Sequence, residues 1–514
     1  MKTHQVQQKT ERRISAALRL VFVAALLLGQ IALAFFLSTE LRQRAAIIYT
    51  VLELAAFGYA VRIYNRTDGT SYKFGWIFLV LTVPVVGLIL YFLWNGDRQQ
   101  KRLDLKKLPM PEEPEAQQAA HRIQMEKLRR KFPQWERLSV YLSRQGYLLY
   151  GDTETTYLPT GEAFLQDMLE KLEQAEHFIF LEFFIIAQGQ IWDRMEEIFR
   201  RKAAEGVEVK IIFDDFGSMM RFPAGQIEAL RESGVEVQVF NPVHHYVNRL
   251  YFNYRDHRKI VCIDGSTAYT GGADEYANLT VRFGYWKDCG IRLDGPGAWG
   301  LTREFLHMWQ RNGGQLMQER DYYRPHDHRE AAGFCQPFVD GPDNNPISTA
   351  EDVFLHLINN ARRSVHITTP YLAIDEPMRQ ALCSAGDSGV DVRLLLPGIP
   401  DHKFAYLAAQ SHYGELLVHH VKIYIYEPGL LHGKTVLSDG EAAFVGSVNM
   451  DYRSFELHFE CGTVLYGVPA IEGLAEDIQR ITDRSRRVTY QEWKSRPWYR
   501  KLLSTLLRLF EMWM

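Results

Sequence analysis

Long apolar runs dominate the first hundred residues, and short ones the remainder. "ALRLVFVAALLLGQIALAFFL" (17–37) and "FGWIFLVLTVPVVGLILYFLW" (74–94) each match the roughly 20 residues that cross a bilayer core. Trp76, Tyr91 and Trp94 stand where interfacial aromatics are expected. Both runs predict transmembrane helices. Between them, 45–61 is shorter and carries Glu53, which suits either a third span or a re-entrant segment. Lys2, Lys9, Arg12 and Arg13 ahead of the first run, with Ala32-Leu33-Ala34 inside it, would also suit a signal peptide. The apolar run continues through Leu37, however, and reads as an uncleaved anchor. Residues 97–150 form a connector, broken by Pro109, Pro111 and Pro114 and then helical and charged in "QQAAHRIQMEKLRRKF".

Beyond residue 150 the pattern shortens. Thr160 is a candidate N-cap for a helix whose Phe164, Met168 and Leu172 recur on one face. In "NYRDHRKIVCID" (253–264), His257 and Lys259 project from one side of a predicted strand, because strand side chains alternate faces. The run Ile260 to Ile263 reads as covered on both faces, and Asp264-Gly265 closes it with a turn signal. The same H-x-K-x-x-x-x-D spacing returns in "LLHGKTVLSD" (430–439) as His432, Lys434 and Asp439. The surroundings return too. "GVEVKIIFDD" resembles "GVDVRLLLPG", "VEVQVFNP" resembles "VKIYIYEP", and each pair lies upstream of its own H-x-K. The chain therefore holds a duplicated βαβ-type unit of the α/β class. At the far end, "WYRKLLSTLLRLFEMWM" (498–514) is either a terminal helix packed on the domain or one lying in a bilayer interface.

Composition adds limits. A net charge of −3 over 514 residues leaves no global nucleic-acid footprint. Five scattered cysteines, Cys262, Cys289, Cys335, Cys383 and Cys461, include no C-x-x-C and read as reduced core thiols. The paired histidines 244–245 and 419–420 lack partners at metal-ligand spacing, and no phosphate-binding G-x-x-x-x-G-K loop occurs. No metal or cofactor is expected. The basic residues Arg98, Lys101, Arg102, Lys106 and Lys107 after the last run, with the thiols, place the C-terminal part in the cytoplasm.

The paired H-x-K-x-x-x-x-D motifs and "GSVNMD" after the second resemble the phospholipase D superfamily. The N-terminal spans, "FGYWKD", "PDHK" and "NMDYRSFELHFE" narrow the resemblance to bacterial cardiolipin synthases of that type. It implies two tandem phospholipase D-like α/β repeats, with mixed sheets flanked by helices and the active site at the repeat interface, preceded by transmembrane helices. The corresponding divisions are a membrane anchor at 1–96, the connector at 97–150, repeats at 151–335 and 336–490, and an amphipathic helix at 491–514. The implied protein is a multi-pass enzyme of the bacterial cell membrane whose partners are phosphatidylglycerol and anionic membrane lipid, not nucleic acid. One departure is visible: "YTGGADEYAN" runs from Gly271-Gly272 directly into Ala273-Asp274, where relatives usually place an asparagine two positions after the glycine pair.

Cleaving a phosphodiester requires a nucleophile, a proton donor for the leaving alkoxide, and positive charge around the phosphoryl oxygens. The resemblance assigns these to His257, His432, Lys259 and Lys434, with His257 attacking and His432 moving the proton, or the reverse. Ser447 and Asn449 are expected to hydrogen-bond the phosphate, and Asp288 and Glu460 to orient the histidines. Asp264 and Asp439, which complete the motifs, are expected as structural ion-pair partners. A hydrolase of the same superfamily, a phosphatidyltransferase using another acceptor alcohol, or less readily a nuclease, would use the same residues.

Overall fold

The computed structural model describes residues 42–66, 70–94, 105, 108, 115–218, 221–242, 254–272, 283–316, 322–323, 330–343 and 347–511. These fall into two compact units, an N-terminal helical one and an α/β one beginning beyond residue 103.

The helical unit comprises Arg42–Tyr64, Thr70–Thr82 and Pro84–Trp94. The run 74–94, expected as one span, is instead a helical hairpin. Pro84 has no N–H to continue the first helix, and its ring crowds the preceding turn. The chain folds back so tightly at Val83 that a Cβ on Gly87 would lie 2.5 Å from the Leu79 carbonyl oxygen. Trp76 and Tyr91, expected at an interface, are buried and meet edge to face at 5.5 Å, while Tyr59 packs on Phe92 at 4.9 Å. The segment 45–61 lies inside the continuous helix Arg42–Tyr64, without a re-entrant break. Ile47, Val51, Leu54 and Phe57 point outward from this helix. The run 17–37 lies outside the described residues. Among the described residues no helix is long and apolar enough to cross a membrane.

The α/β unit contains two sheets with one strand order. From edge to edge the first runs Glu154–Leu158, Gly290–Asp294, Thr267–Gly271, Lys259–Ile263, Phe178–Phe183, Glu208–Asp214 and Glu236–Phe240. The second runs Phe334–Asp340, His458–Tyr466, Ala442–Gly446, Lys434–Ser438, Ser364–Thr368, Asp391–Pro397 and Lys422–Tyr426, with Ser485–Val488 added at the edge. In each sheet the last three shared strands are parallel and the others antiparallel. Parallel strands need helical crossovers. Gln190–Ala204 and Glu376–Asp387 are the matching crossovers of the two repeats.

Local chemistry starts these elements where the sequence places them. The Thr160 hydroxyl accepts from the Ala163 N–H at 3.1 Å, and Phe164, Met168 and Leu172 of helix Gly161–Glu173 are all buried. Ile260 to Ile263 are buried throughout. The connector is not a free linker over its whole length. From Glu115 on it folds with the α/β unit: Leu138 and Leu142 are buried, and the Ser139 hydroxyl donates to Gln336 Oε1 at 2.8 Å. The division expected at residue 335 falls inside the strand Phe334–Asp340.

The repeats exchange backbone as well as side chains. Arg255–Asp256, just ahead of the first H-x-K, pairs in parallel with His458–Phe459 of the second repeat. Gly429–Leu431, just ahead of the second H-x-K, pairs in parallel with Tyr285–Lys287 of the first. This reciprocal pairing sets both motifs at a single interface.

Candidate active site

His257 does not sit in the strand that carries Lys259. It occupies the break between Arg255–Asp256, bound to the other repeat, and Lys259–Ile263, bound to its own. His432 occupies the equivalent break between Gly429–Leu431 and Lys434–Ser438. The backbone N–H of His257 donates to the Phe459 carbonyl at 2.8 Å, and that of His432 to the Lys287 carbonyl at 2.7 Å. Each imidazole is thus fixed by the repeat to which it does not belong.

The carboxylates cross in the same way. His257 Nδ1 lies 2.9 Å from Glu460 Oε1, and His432 Nδ1 lies 2.7 Å from Asp288 Oδ2. A carboxylate on Nδ1 holds the proton there and leaves Nε2 to face a substrate. Asp288 and Glu460 occupy equivalent positions, in the matching segments "DCG" (288–290) and "ECG" (460–462). Burial works to raise the Asp288 pKa, but His432 and Lys434 outweigh it and hold the carboxyl well below the usual range. Both lysines are buried beside their histidines. Lys259 Nζ donates to the His257 carbonyl at 2.7 Å, and Lys434 Nζ lies 2.9 Å from His432 Nδ1.

The other expected residues divide. Asp264 is turned from the site, its carboxylate accepting from the N–H groups of Glu176, His177 and Phe178 at 2.8, 2.7 and 2.8 Å. Asp439 accepts from Arg362, Arg363 and Ser364 at 2.8, 2.7 and 2.9 Å. These are strand-start clasps on backbone amides, not ion pairs to side chains. Each aspartate stands seven positions beyond its histidine, about 23 Å of extended chain at ~3.3 Å per residue. The Ser447 hydroxyl donates to Glu460 and is committed to holding that carboxylate. Asn449 is buried and its Oδ1 has no partner. Gly272 is the first repeat's counterpart of Ser447, and a Cβ there would come within 2.0 Å of Asp288 Oδ1.

Several neighbours were not singled out from sequence. Ser454 donates to Glu460 Oε1 at 2.8 Å. Trp286 packs over His432 with ring centroids 4.9 Å apart, and at the matching place His458 packs near His257 at 5.4 Å. Asp214 accepts the Asp256 N–H at 3.0 Å and also faces Arg255. Burial and neighbouring Asp256 push the Glu182 carboxyl well up. The charged string "RDHRK" was the available signal for this buried network, since charges in an otherwise apolar strand region need partners.

His257, His458 and Glu460 bring ligand atoms within 4.8 Å of one another, the one such group with metal-binding potential among the described residues. The donor chemistry disfavours a cation. Arg453 Nε donates to His458 Nε2 at 3.3 Å, which leaves the proton on Nδ1, the atom that would face the metal. Burial lowers the His458 pKa to about 3, so this ring is neutral and serves as a fixed wall beside His257.

Known proteins resemble this chain. The family described as "Cardiolipin synthase, PLD-like domain" matches residues 168–288 and 354–482, and "Phospholipase_D-nuclease N-terminal" matches 54–95. The tandem α/β repeats are thus phospholipase D-like domains. Cardiolipin synthase 2 of Bacillus anthracis is 32% identical over 89% of this chain and 89% of its own length, and the major cardiolipin synthase of Bacillus subtilis is 30% identical over 87% and 94%. An uncharacterized protein of Streptococcus mutans is 36% identical over 88% and 98%. The chain belongs to the cardiolipin synthase family. The crystal structure of a Haemophilus influenzae phosphatidylserine synthase shares the fold, with a TM-score of 0.56 at 14% identity over 73% of this chain and 99% of that one.

Proposed function

We propose that this protein is a membrane-bound phosphatidyltransferase that makes cardiolipin and glycerol from two phosphatidylglycerol molecules. The observation that carries the reading is the pair of buried imidazoles, each with Nδ1 on a carboxylate of the opposite repeat. Such a pair can divide one displacement into two steps with opposite proton demands.

His257 Nε2 attacks phosphorus of the first lipid. The P–O bond to the headgroup glycerol breaks, and His432 gives its proton to the departing oxygen. A second phosphatidylglycerol then presents its terminal hydroxyl, His432 takes back the proton, and the new P–O bond forms as P–N breaks. Lys259 and Lys434, buried beside their histidines, bring positive charge to the non-bridging oxygens. The amide of Asn449 supplies a further phosphate contact. Asp288 and Glu460 orient the rings, Ser447 steadies Glu460, and Asp264 and Asp439 maintain the strands from a distance.

The N-terminal unit is the membrane anchor in this reading, and the outward apolar side chains of helix Arg42–Tyr64 meet acyl chains. The α/β unit works on the cytoplasmic side, where its five buried free thiols remain reduced.

Incubating the purified protein with headgroup-labelled phosphatidylglycerol alone tests the reaction. Glycerol and cardiolipin should appear in equal amounts, and His257→Ala or His432→Ala should abolish both. Phosphatidic acid as the main product would identify a hydrolase, and DNA cleavage without a lipid product a nuclease.

A further inference from the structure

The C-terminal helix Trp498–Arg508 is mounted the opposite way round from an ordinary surface helix. It packs on the helix Lys403–Ala409 with Ser504 as its buried residue. Just past its end Glu511 is buried as well, its carboxylate 3.0 Å from Nε2 of buried His412. The bulky side chains Trp498, Leu502, Leu503, Leu506, Leu509 and Phe510 are turned outward. A surface helix of a globular domain normally buries its apolar stripe and exposes its polar one.

The exposed stripe has company. Phe404, on the supporting helix, is 67% exposed, and Trp498 is 75% exposed. That supporting helix follows the strand Asp391–Pro397, and the intervening Gly398 and Ile399 N–H groups both donate to the Gly429 carbonyl at 3.1 and 3.2 Å. Gly429 begins the short strand that leads to His432. The apolar face is therefore tied to the segment carrying one of the two histidines. The stretch is rich in cations: Lys494, Arg496, Arg500, Lys501 and Arg508 lie between Trp493 and Glu511, Glu511 is engaged by His412, and Glu376 of the neighbouring helix Glu376–Asp387 faces Arg508.

We infer that this face is a docking surface for an anionic phospholipid bilayer, with the C-terminal helix lying at the boundary between headgroups and acyl chains. Outward Trp and Leu side chains flanked by Lys and Arg are the composition of an interfacial helix. Cations near a negatively charged leaflet add attraction to the apolar burial. The inference rests on the reading of the protein as a lipid transferase, for which it supplies the means of holding the α/β unit against its substrate.

The test uses the full chain reconstituted in phosphatidylglycerol vesicles, with an environment-sensitive fluorophore on Leu502→Cys; the native thiols are all buried. A label on Glu170→Cys, an exposed position of helix Gly161–Glu173, is the reference. Quenchers on the acyl chains should dim the label at 502 severalfold more than that at 170. Equal quenching at both positions overturns the inference. So does a label at 502 that is shielded from aqueous iodide yet untouched by acyl-chain quenchers, because a protein would then cover the face. The double variant Trp498→Ser/Leu506→Ser should lose at least tenfold activity on vesicles while turning over monomeric short-chain phosphatidylglycerol normally; equal loss on both substrates counts against docking. A chain that passes the quenching test but makes no cardiolipin would instead sink the transferase reading.

Discussion

His257 Nδ1 lies 2.9 Å from Oε1 of Glu460, a carboxylate belonging to the other repeat, and His432 is held reciprocally by Asp288 at 2.7 Å. Removing one carboxylate should therefore disable the histidine of the opposite repeat. Glu460→Gln and Asp288→Asn are each expected to lower kcat about a hundredfold or more, because a carboxamide neither fixes the tautomer nor stabilises the imidazolium. Steady-state kinetics with folding checked by circular dichroism decides this, and near-parental kcat in either variant refutes the role given to these carboxylates.

Gly272 provides a sharper steric test. A Cβ at this position would approach Asp288 Oδ1 to 2.0 Å, whereas its counterpart Ser447 fits beside Glu460 and donates to it. Gly272→Ala should displace Asp288 from His432 and reduce turnover at least tenfold. The expectation is met only if Ala substitution at surface Gly225, where an added Cβ meets nothing within 4 Å, leaves turnover intact.

Asp264→Ala should separate stability from chemistry. The carboxylate accepts three backbone N–H groups at a strand start, so its loss is expected to cost on the order of 2 kcal/mol of stability. Thermal unfolding in detergent reads that change. The kcat of the folded fraction should stay within about twofold of the parent, since the side chain lies at the far end of the strand from His257. A large fall in kcat with unchanged stability would return Asp264 to the reaction.

His458 predicts a pH dependence. Burial lowers its pKa to about 3 in the folded protein, while the unfolded imidazole takes up a proton near 6.5. Between those values the unfolded chain binds more protons, so acidification favours unfolding and stability rises with pH. By pH 5 this residue contributes about 2 kcal/mol of destabilisation relative to pH 7. Asp214, raised to about 6 by burial, acts in the opposite direction. The parent must therefore be compared with His458→Gln, whose loss of stability from pH 7 to pH 5 should be smaller by that amount. Identical pH profiles would show that His458 does not stay neutral.

Sequence made the duplication legible because H-x-K-x-x-x-x-D and its flanking runs recur at matched offsets. The Thr160 cap and the Phe164, Met168, Leu172 face were legible because capping and helical periodicity are local properties. The crossed contacts were not, since nothing in "ECG" or "DCG" states which histidine each acid will meet. That depends on strands exchanged between repeats. Asp264 and Asp439 illustrate a second limit: a motif preserves spacing without revealing direction, and both carboxylates point to backbone amides at the far strand end. Hydropathy alone could not separate one long span at 74–94 from two short helices packed on each other, although Pro84 marked the break.

The two exchanged strand pairs, Arg255–Asp256 with His458–Phe459 and Gly429–Leu431 with Tyr285–Lys287, also limit motion. Peptide hydrogen bonds rivet the lobes together on both sides of the histidines, so the lobes cannot part and close around a substrate as hinged jaws do. Lipid headgroups therefore meet two lobes held in one relation at the histidines, and a variant that severed either strand pair would loosen the catalytic geometry.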